Sequence, residues 1–193
     1  VNYSTRVQKG EKILIDDRGM NRELVVALIK AVYAAGGIPA VSLMDGEVER
    51  ALMQGYTKEQ LDWYAGMDAR RMSDCAAYIA VRGGNNVLVI DVPQEKKRLY
   101  SVHYSQPVHM EIRVPKTRWV VLRYPSSAMA QQAGMSTEAF EDFFFKVCTL
   151  DYRAMSRAMD PLVELMQRTD KVRLTARGTD LRFSIKGQTA IKC

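Results

Sequence analysis

The sequence has 193 residues, of which 47% are hydrophobic and 26% are charged, a composition ordinary for a soluble globular protein. No apolar run approaches the roughly 20 residues of a membrane span, so we expect no membrane association. The formal net charge is +6, but the lysines and arginines are scattered, which argues against a nucleic-acid-binding protein.

The first elements in chain order are typical of a βαβ unit. A short apolar strand is predicted over 11–15 and a second strand over 39–43. Between them Asn21 can cap a helix with a broad apolar stripe, and Gly36-Gly37 ends it. Two strands joined in this way should be parallel, with a right-handed crossover.

The middle of the sequence predicts two further strands and two helices. Thr57 and Gln60 form a capping box that opens a helix, and strands are expected over 76–81 and 118–124. The apolar run 87–90 fits either a strand or a connector. Pro93 suits the first turn of a helix, which Pro107 should kink or end.

The last part predicts a short helix capped by Ser126 or Ser127, then a long helical region from about Ser136. In that region apolar residues recur at spacings of three and four as one continuous seam. Asp160-Pro161 should kink or restart this helix. Two strands over 172–176 and 181–186 then form a hairpin.

This order of elements predicts an α/β fold with three layers, in which helices flank a mainly parallel sheet. We assign residues 1–168 to an α/β amino-terminal domain. Residues 169–193 are assigned to a β-hairpin that begins a second domain. Because so little sequence follows the hairpin, we expect the chain to be the front part of a larger protein.

Two positions follow predicted strands, where ligands of parallel α/β sheets collect. Asp16 and Asp17 follow the first predicted strand, although aspartates there also begin turns or cap helices. The loop 83–86 follows the third strand and fits either a phosphate cradle or a plain connector. The chain contains neither the G-x-G-x-x-G nor the P-loop pattern.

The histidines and cysteines give few signs of a metal site. His103 and His109 would lie about 240° apart on one helix, so we expect surface or packing roles for both. The three cysteines are widely spaced and odd in number, which fits a reducing cytoplasm.

The most suggestive polar cluster is Arg123-Tyr124-Pro125, where the arginine can hold a carboxylate or cap a helix end.

Four stretches, taken together and in order, carry a family resemblance. They are Trp63–Ala69, Arg118–Pro125 with Ala128–Ala130, Ala133–Phe143 and Gly178–Gly187. In this order they resemble the amino-terminal region of the thermophilic metallo-aminopeptidase family, of the aminopeptidase T and aminopeptidase S type. The similarity extends over nearly the whole chain.

The resemblance implies a cytoplasmic, homodimeric hydrolase that removes amino-terminal residues from peptides with two divalent metal ions, zinc, cobalt or similar. The family's metal ligands lie beyond the hairpin, in a carboxy-terminal catalytic domain. We therefore expect no catalytic, cofactor-binding or metal-binding residue in this chain, and no peptidase activity from it alone.

The expected role of this chain is to scaffold that domain and to wall its substrate cleft. Trp119, Arg123 and Tyr124 are the candidate cleft residues. The alternative hypothesis is a freestanding nucleotide-binding or small-ligand-binding α/β module, against which the missing glycine patterns count.

Overall fold

A computed structural model describes residues 1–83 and 89–192. The chain forms two compact units, Val1–Phe143 and Phe144–Cys193. The loop at 84–86 and the first two residues of the predicted run at 87–90 lie outside the described residues. The domain boundary expected after residue 168 stays a prediction.

The first unit is built on a parallel sheet with the strand order β2-β1-β3-β4. Its strands are β1 (Lys12–Arg18), β2 (Ile38–Met44), β3 (Ala77–Arg82) and β4 (Arg118–Arg123). The chain winds outward from β1 to β2 on one side and then to β3 and β4 on the other. The direction of winding therefore reverses between β1 and β3.

The helices of the described residues follow in chain order, with a π-helix (Ser101–Arg113) after the fourth. They are α1 (Arg22–Ala34), α2 (Gly46–Gly55), α3 (Lys58–Ser73), α4 (Gln94–Tyr100), α5 (Val114–Lys116), α6 (Ser127–Gln132), α7 (Thr137–Cys148), α8 (Tyr152–Ala158) and α9 (Asp160–Arg168). Within the described ranges, no helix has both the length and the apolar character needed to cross a bilayer.

Alternation along the strands divides the first unit into two hydrophobic cores, one on each face of the sheet. Ile13, Ile15 and Ile79 pack with α1 on one face. Leu14 and Tyr78 pack with α3 and the π-helix on the other face. The predicted α/β architecture, a parallel sheet flanked by helices, is confirmed.

Pro107 was expected to kink or end the helix that begins after Pro93, and the helix does not end there. α4 continues into the π-helix, which contains Pro107 and ends at Arg113. In an α-helix the proline ring would clash with the carbonyl four residues earlier. The bonding pattern of a π-helix has a span of five residues, and its wider turns accommodate the ring.

Sequence reasoning missed α2. Asp45 caps this helix, and its carboxylate accepts hydrogen bonds from the backbone N–H groups of Glu47 at 2.8 Å and Val48 at 3.2 Å. The signal was an aspartate directly after a predicted strand, which is a preferred residue for a helix start.

The long helical region is not one continuous seam, and that prediction was also wrong. The chain leaves the helical path after Cys148, and Asp151 starts α8 by accepting bonds from two backbone N–H groups, each at 3.0 Å. An aspartate that can bond the backbone in this way competes with helix continuation. The restart at Asp160-Pro161 is confirmed, since Pro161 lies in the first turn of α9.

The second unit contains the predicted hairpin, formed by the antiparallel strands β5 (Lys171–Ala176) and β6 (Thr179–Ser184). Gly178 has a φ of +78° in the turn, a conformation that glycine adopts without strain. Arg173 and Asp180 lie across the two strands with 2.7 Å between Nε and Oδ1. This antiparallel pair confirms the carboxy-terminal part of the predicted fold.

Candidate functional site

A cleft of about 970 Å³ opens in the first unit where the parallel strands end. The last residue of β1, of β3 and of β4 lines it, and so does Asp45 directly after β2. Tyr78 and His109 contribute to its lining from the sheet and the π-helix. Open α/β sheets bind their ligands in this position, outside the carboxyl ends of the strands and where the winding reverses.

Three arginines form a row across the sheet at the edge of this cleft. β1 places Arg18 in register with Arg82 of β3, and β3 places Arg82 in register with Arg123 of β4. Residues in register on neighbouring strands project from the same face, so the three guanidinium groups share one side of the sheet. Like charges at such neighbouring positions repel, so the row requires compensating negative charge.

Asp16 lies two residues before Arg18 on the same face of β1, and it supplies part of that negative charge. Its Oδ2 accepts hydrogen bonds from the Tyr78 hydroxyl and from Arg82 Nη2, each at 2.8 Å, and Arg18 Nε lies 3.5 Å away. Burial opposes ionisation of Asp16, but Arg18 and Arg82 outweigh it and lower the pKa of the carboxyl. Glu49 on α2 forms an ion pair with Arg18.

The same burial raises the pKa of Tyr78 to about 12, with the neighbouring Asp16 carboxylate as a further cause. The Tyr78 hydroxyl thus stays protonated and donates to Asp16 near neutral pH. This arrangement makes Asp16 a buried counter-ion of the arginine row.

Asp17 has a different role, because strand alternation directs its side chain to the other face. Its two carboxylate oxygens accept bonds from the Asn21 backbone N–H at 2.8 Å and side-chain Nδ2 at 2.6 Å. Asp17 therefore holds the turn between β1 and α1. Asn21 precedes α1 as predicted, but its side chain makes no hydrogen bond to the helix backbone within the described residues.

Arg113 of the π-helix lies over two aromatic rings beside the cleft. Its guanidinium carbon is 4.8 Å from the centre of the Trp119 ring and 5.3 Å from that of Tyr78, which are cation–π distances. Its Nε donates to Nδ1 of His109 at 3.1 Å. Its Nη1 is buried and has no hydrogen-bond partner among the described residues.

His109 is held neutral by these surroundings. Burial, and then the positive charge of Arg113, lower the pKa of His109 from its ordinary 6.5 to about 4. Because Nδ1 accepts the bond from Arg113, the ring proton is placed on Nε2.

The lowered pKa of His109 predicts a loss of stability on acidification. Between pH 6.5 and about 4 the unfolded chain binds a proton at this position and the folded chain does not, so the free energy of unfolding falls as the pH falls. We expect His109 to account for about 1–2 kcal/mol of this fall, since its partly accessible ring is screened by solvent. Urea unfolding of the wild type and of His109→Gln at several pH values measures the difference.

His103→Gln serves as the control for that experiment. His103 lies on the surface of the same helix with its Nδ1 2.9 Å from Asp62 Oδ1. Equal pH slopes for the wild type and His109→Gln would contradict the assignment.

The three residues predicted from the sequence as cleft candidates occupy different positions. Arg123 lines the cleft, and Trp119 lies on the same face of β4 beneath Arg113. Tyr124 follows β4 and donates its backbone N–H to the Arg82 carbonyl at 3.0 Å. Their role toward a substrate stays a prediction.

Sequence reasoning did not single out Arg18, Arg82 or Arg113. A usable signal was present, since three of the strands end in arginine. Recognising the row also requires the strand order, which places the three strand ends side by side.

The residues that the structure describes do not fit a bimetallic centre. No group of three or more histidine, cysteine, aspartate or glutamate side chains lies close enough to hold a metal ion within residues 1–83 and 89–192. His103 is engaged by Asp62 and His109 by Arg113. Paired catalytic metals require several carboxylate or imidazole ligands converging on a few ångströms.

The first unit is an open, parallel α/β sheet, and its cleft lies where the direction of winding reverses. Open sheets that bind ligands share this arrangement. The sequence matches the thermophilic metalloprotease (M29) family over residues 1–191. The chain belongs to this family, which confirms the family predicted from the four sequence stretches.

A solved structure of wild-type AmpT from Thermus thermophilus is similar to this chain, with a TM-score of 0.73 and 20% sequence identity. The match covers 95% of this chain and 51% of that one, so the chain spans about half the length of AmpT. At this identity the likeness shows a common fold. No curated protein matches the sequence.

Proposed function

We propose that this chain is the amino-terminal, non-metal-binding part of a metal-dependent aminopeptidase that removes amino-terminal residues from peptides. The observation that carries the proposal is the match to the thermophilic metalloprotease family along residues 1–191. The four stretches that resemble the aminopeptidase T and S type favour an exopeptidase within that family. The fold shared with AmpT supports the same assignment.

The two divalent ions that such an enzyme needs are proposed to bind outside these 193 residues. In support, the described side chains offer no converging ligand set, and both histidines are engaged in other contacts. In such an enzyme the metal ions would lower the pKa of a bound water and polarise the peptide carbonyl. The present chain would contribute support and shape to the substrate cavity.

The proposed role of the first unit is to wall the substrate cleft. Ligand sites commonly lie between domains, and Trp119, Arg123 and Tyr124 are our candidates for the wall. The exposed side chains of Trp119 and Arg123 on one face of β4 support this role, because they are available for contact. We further propose a homodimeric, cytoplasmic enzyme, by resemblance to the family.

Hydrolysis of amino-acid anilides tests the proposed function. Expressed from its complete reading frame, the protein is expected to hydrolyse leucine anilide in the presence of Co²⁺ or Zn²⁺ and to lose this activity with a chelator. Residues 1–193 by themselves are expected to give no turnover above the uncatalysed rate. Robust metal-dependent turnover by these residues alone, or none from the complete frame, would refute the proposal.

A further inference from the structure

We infer that the cleft at the strand ends of the first unit is an oxyanion-binding site, which takes the carboxylate or phosphate group of a small ligand. This site is separate from the metal chemistry of the proposed function. Its binding groups are the guanidinium groups of Arg123 and Arg113, supported by Arg82. The volume of about 970 Å³ lies near the upper end of the range usual for small-molecule sites.

The first argument is that two arginines of the cleft have no ion-pair partner among the described residues. Four arginines line the cleft, Arg18, Arg82, Arg113 and Arg123. Asp16 pairs with Arg18 and Arg82, and Glu49 pairs with Arg18. Among the described residues no carboxylate lies within 4.0 Å of the guanidinium nitrogens of Arg113 or Arg123, so these two guanidinium groups have no ion-pair partner there.

Two further carboxylates line the cleft, and neither forms an ion pair with Arg113 or Arg123 among the described residues. Asp45 is engaged in capping α2 through the backbone N–H groups of Glu47 and Val48. Glu47 lies exposed in the first turn of α2. The α2 side of the cleft is therefore acidic and the β3–β4 side basic, which orients an anion toward Arg123.

The second argument is the supply of free hydrogen-bond donors. The Arg123 side chain makes no hydrogen bond within the part of the chain that the structure describes, and it is exposed at the end of β4. Arg113 also lines the cleft with a guanidinium group that is not fully hydrogen-bonded, since its Nη1, itself buried, has no partner among the described residues. Guanidinium groups bind carboxylates and phosphates with paired, charge-assisted hydrogen bonds.

The third argument is the position of the cleft at the ends of the strands, beside a close approach of two backbone segments. Gly19 has a φ of +153°, and a Cβ built there would lie 2.5 Å from the Gly83 carbonyl oxygen. The segments after β1 and β3 thus approach each other closely at glycines, directly beside Arg18 and Arg82. This is the point where the winding of the sheet reverses, the usual ligand position in open sheets.

The test is a titration of the ¹⁵N-labelled 193-residue chain with inorganic phosphate and, separately, with sodium acetate, followed by NMR. Ionic strength is held constant with sodium chloride, because a change in electrostatic screening alone would shift the NMR signals of exposed arginines. We expect saturable shifts of the Arg113 and Arg123 Nε–Hε signals and of the Arg82 amide. Saturation by phosphate alone identifies a phosphate site, and saturation by acetate alone identifies a carboxylate site.

The variant Arg123→Gln is expected to weaken binding of the saturating anion about tenfold, through loss of one charged donor. Arg70→Gln is the matched control, because Arg70 is 85% exposed on α3 and away from the cleft. Dispersed amide signals show that each variant is folded. Linear shifts without saturation for both anions, or equal affinity in Arg123→Gln and Arg70→Gln, would overturn the inference. Since neither metal nor peptide is present, the result is independent of the aminopeptidase assay.

Discussion

Replacement of Asp16 by asparagine is expected to lower the free energy of unfolding by about 3 kcal/mol. The asparagine would keep the size of the side chain and an acceptor for the Tyr78 hydroxyl, but it would remove the negative charge between Arg18 and Arg82. Asp16 is only 6% exposed, so water cannot replace the lost charge. Urea unfolding at pH 7, monitored by circular dichroism, measures the effect.

A control variant and a series of pH values test whether the lost charge causes this effect. Asp62→Asn removes a carboxylate from exposed pairs with Lys58 and His103 and should change stability little. Since the pKa of Asp16 is lower in the folded chain than its ordinary 3.8, its contribution is present above about pH 4 and is lost as the pH falls further. The difference between wild type and Asp16→Asn should therefore shrink at acid pH, and a constant difference would count against the charge explanation.

Replacement of Gly19 by alanine should destabilise the protein by about 2–4 kcal/mol. The new methyl group would meet the Gly83 carbonyl at 2.5 Å, and the φ of +153° disfavours any side chain. Backbone atoms must move to relieve the clash, so the ends of β1 and β3 should separate. The loss is measured as a fall in the urea midpoint with an unchanged slope.

Gly66→Ala provides the matched control for the glycine experiment. Gly66 lies inside α3, and nothing lies within 4 Å of a Cβ built there. Alanine favours the helix over glycine by about 1 kcal/mol, so this variant should be as stable as the wild type or more stable. If Gly19→Ala were as stable as Gly66→Ala, the close approach of the two strand ends would be disproved.

The parallel sheet was predictable because its strands are short apolar runs bounded by glycine, proline and polar residues. The helix around Pro107 was not, since proline normally ends an α-helix and the π-helical turns depend on packing against α3. The break at Asp151 was hidden by apolar residues that keep helical spacing across it. Periodicity reports which residues share a face and does not detect a short interruption.

The candidate site was predictable in position and not in composition. Asp16 was expected to follow the first strand and instead lies within β1, near its carboxyl end. Its partners Tyr78 and Arg82 are more than 60 residues away in sequence. Only the pairing of β1 with β3 brings them together. Arg113 could not be placed from the sequence, because its position over Trp119 depends on the helix continuing past Pro107, where a kink or an end was expected.

Metal stoichiometry tests the central proposal most directly. The purified 193-residue chain is incubated with excess Zn²⁺ or Co²⁺, exchanged into metal-free buffer, and analysed for metal and protein content. If the chain is the non-metal-binding part of its enzyme, retained metal should stay below about one tenth of an ion per chain, since no converging ligands hold it. Retention of about two ions per chain would contradict the account.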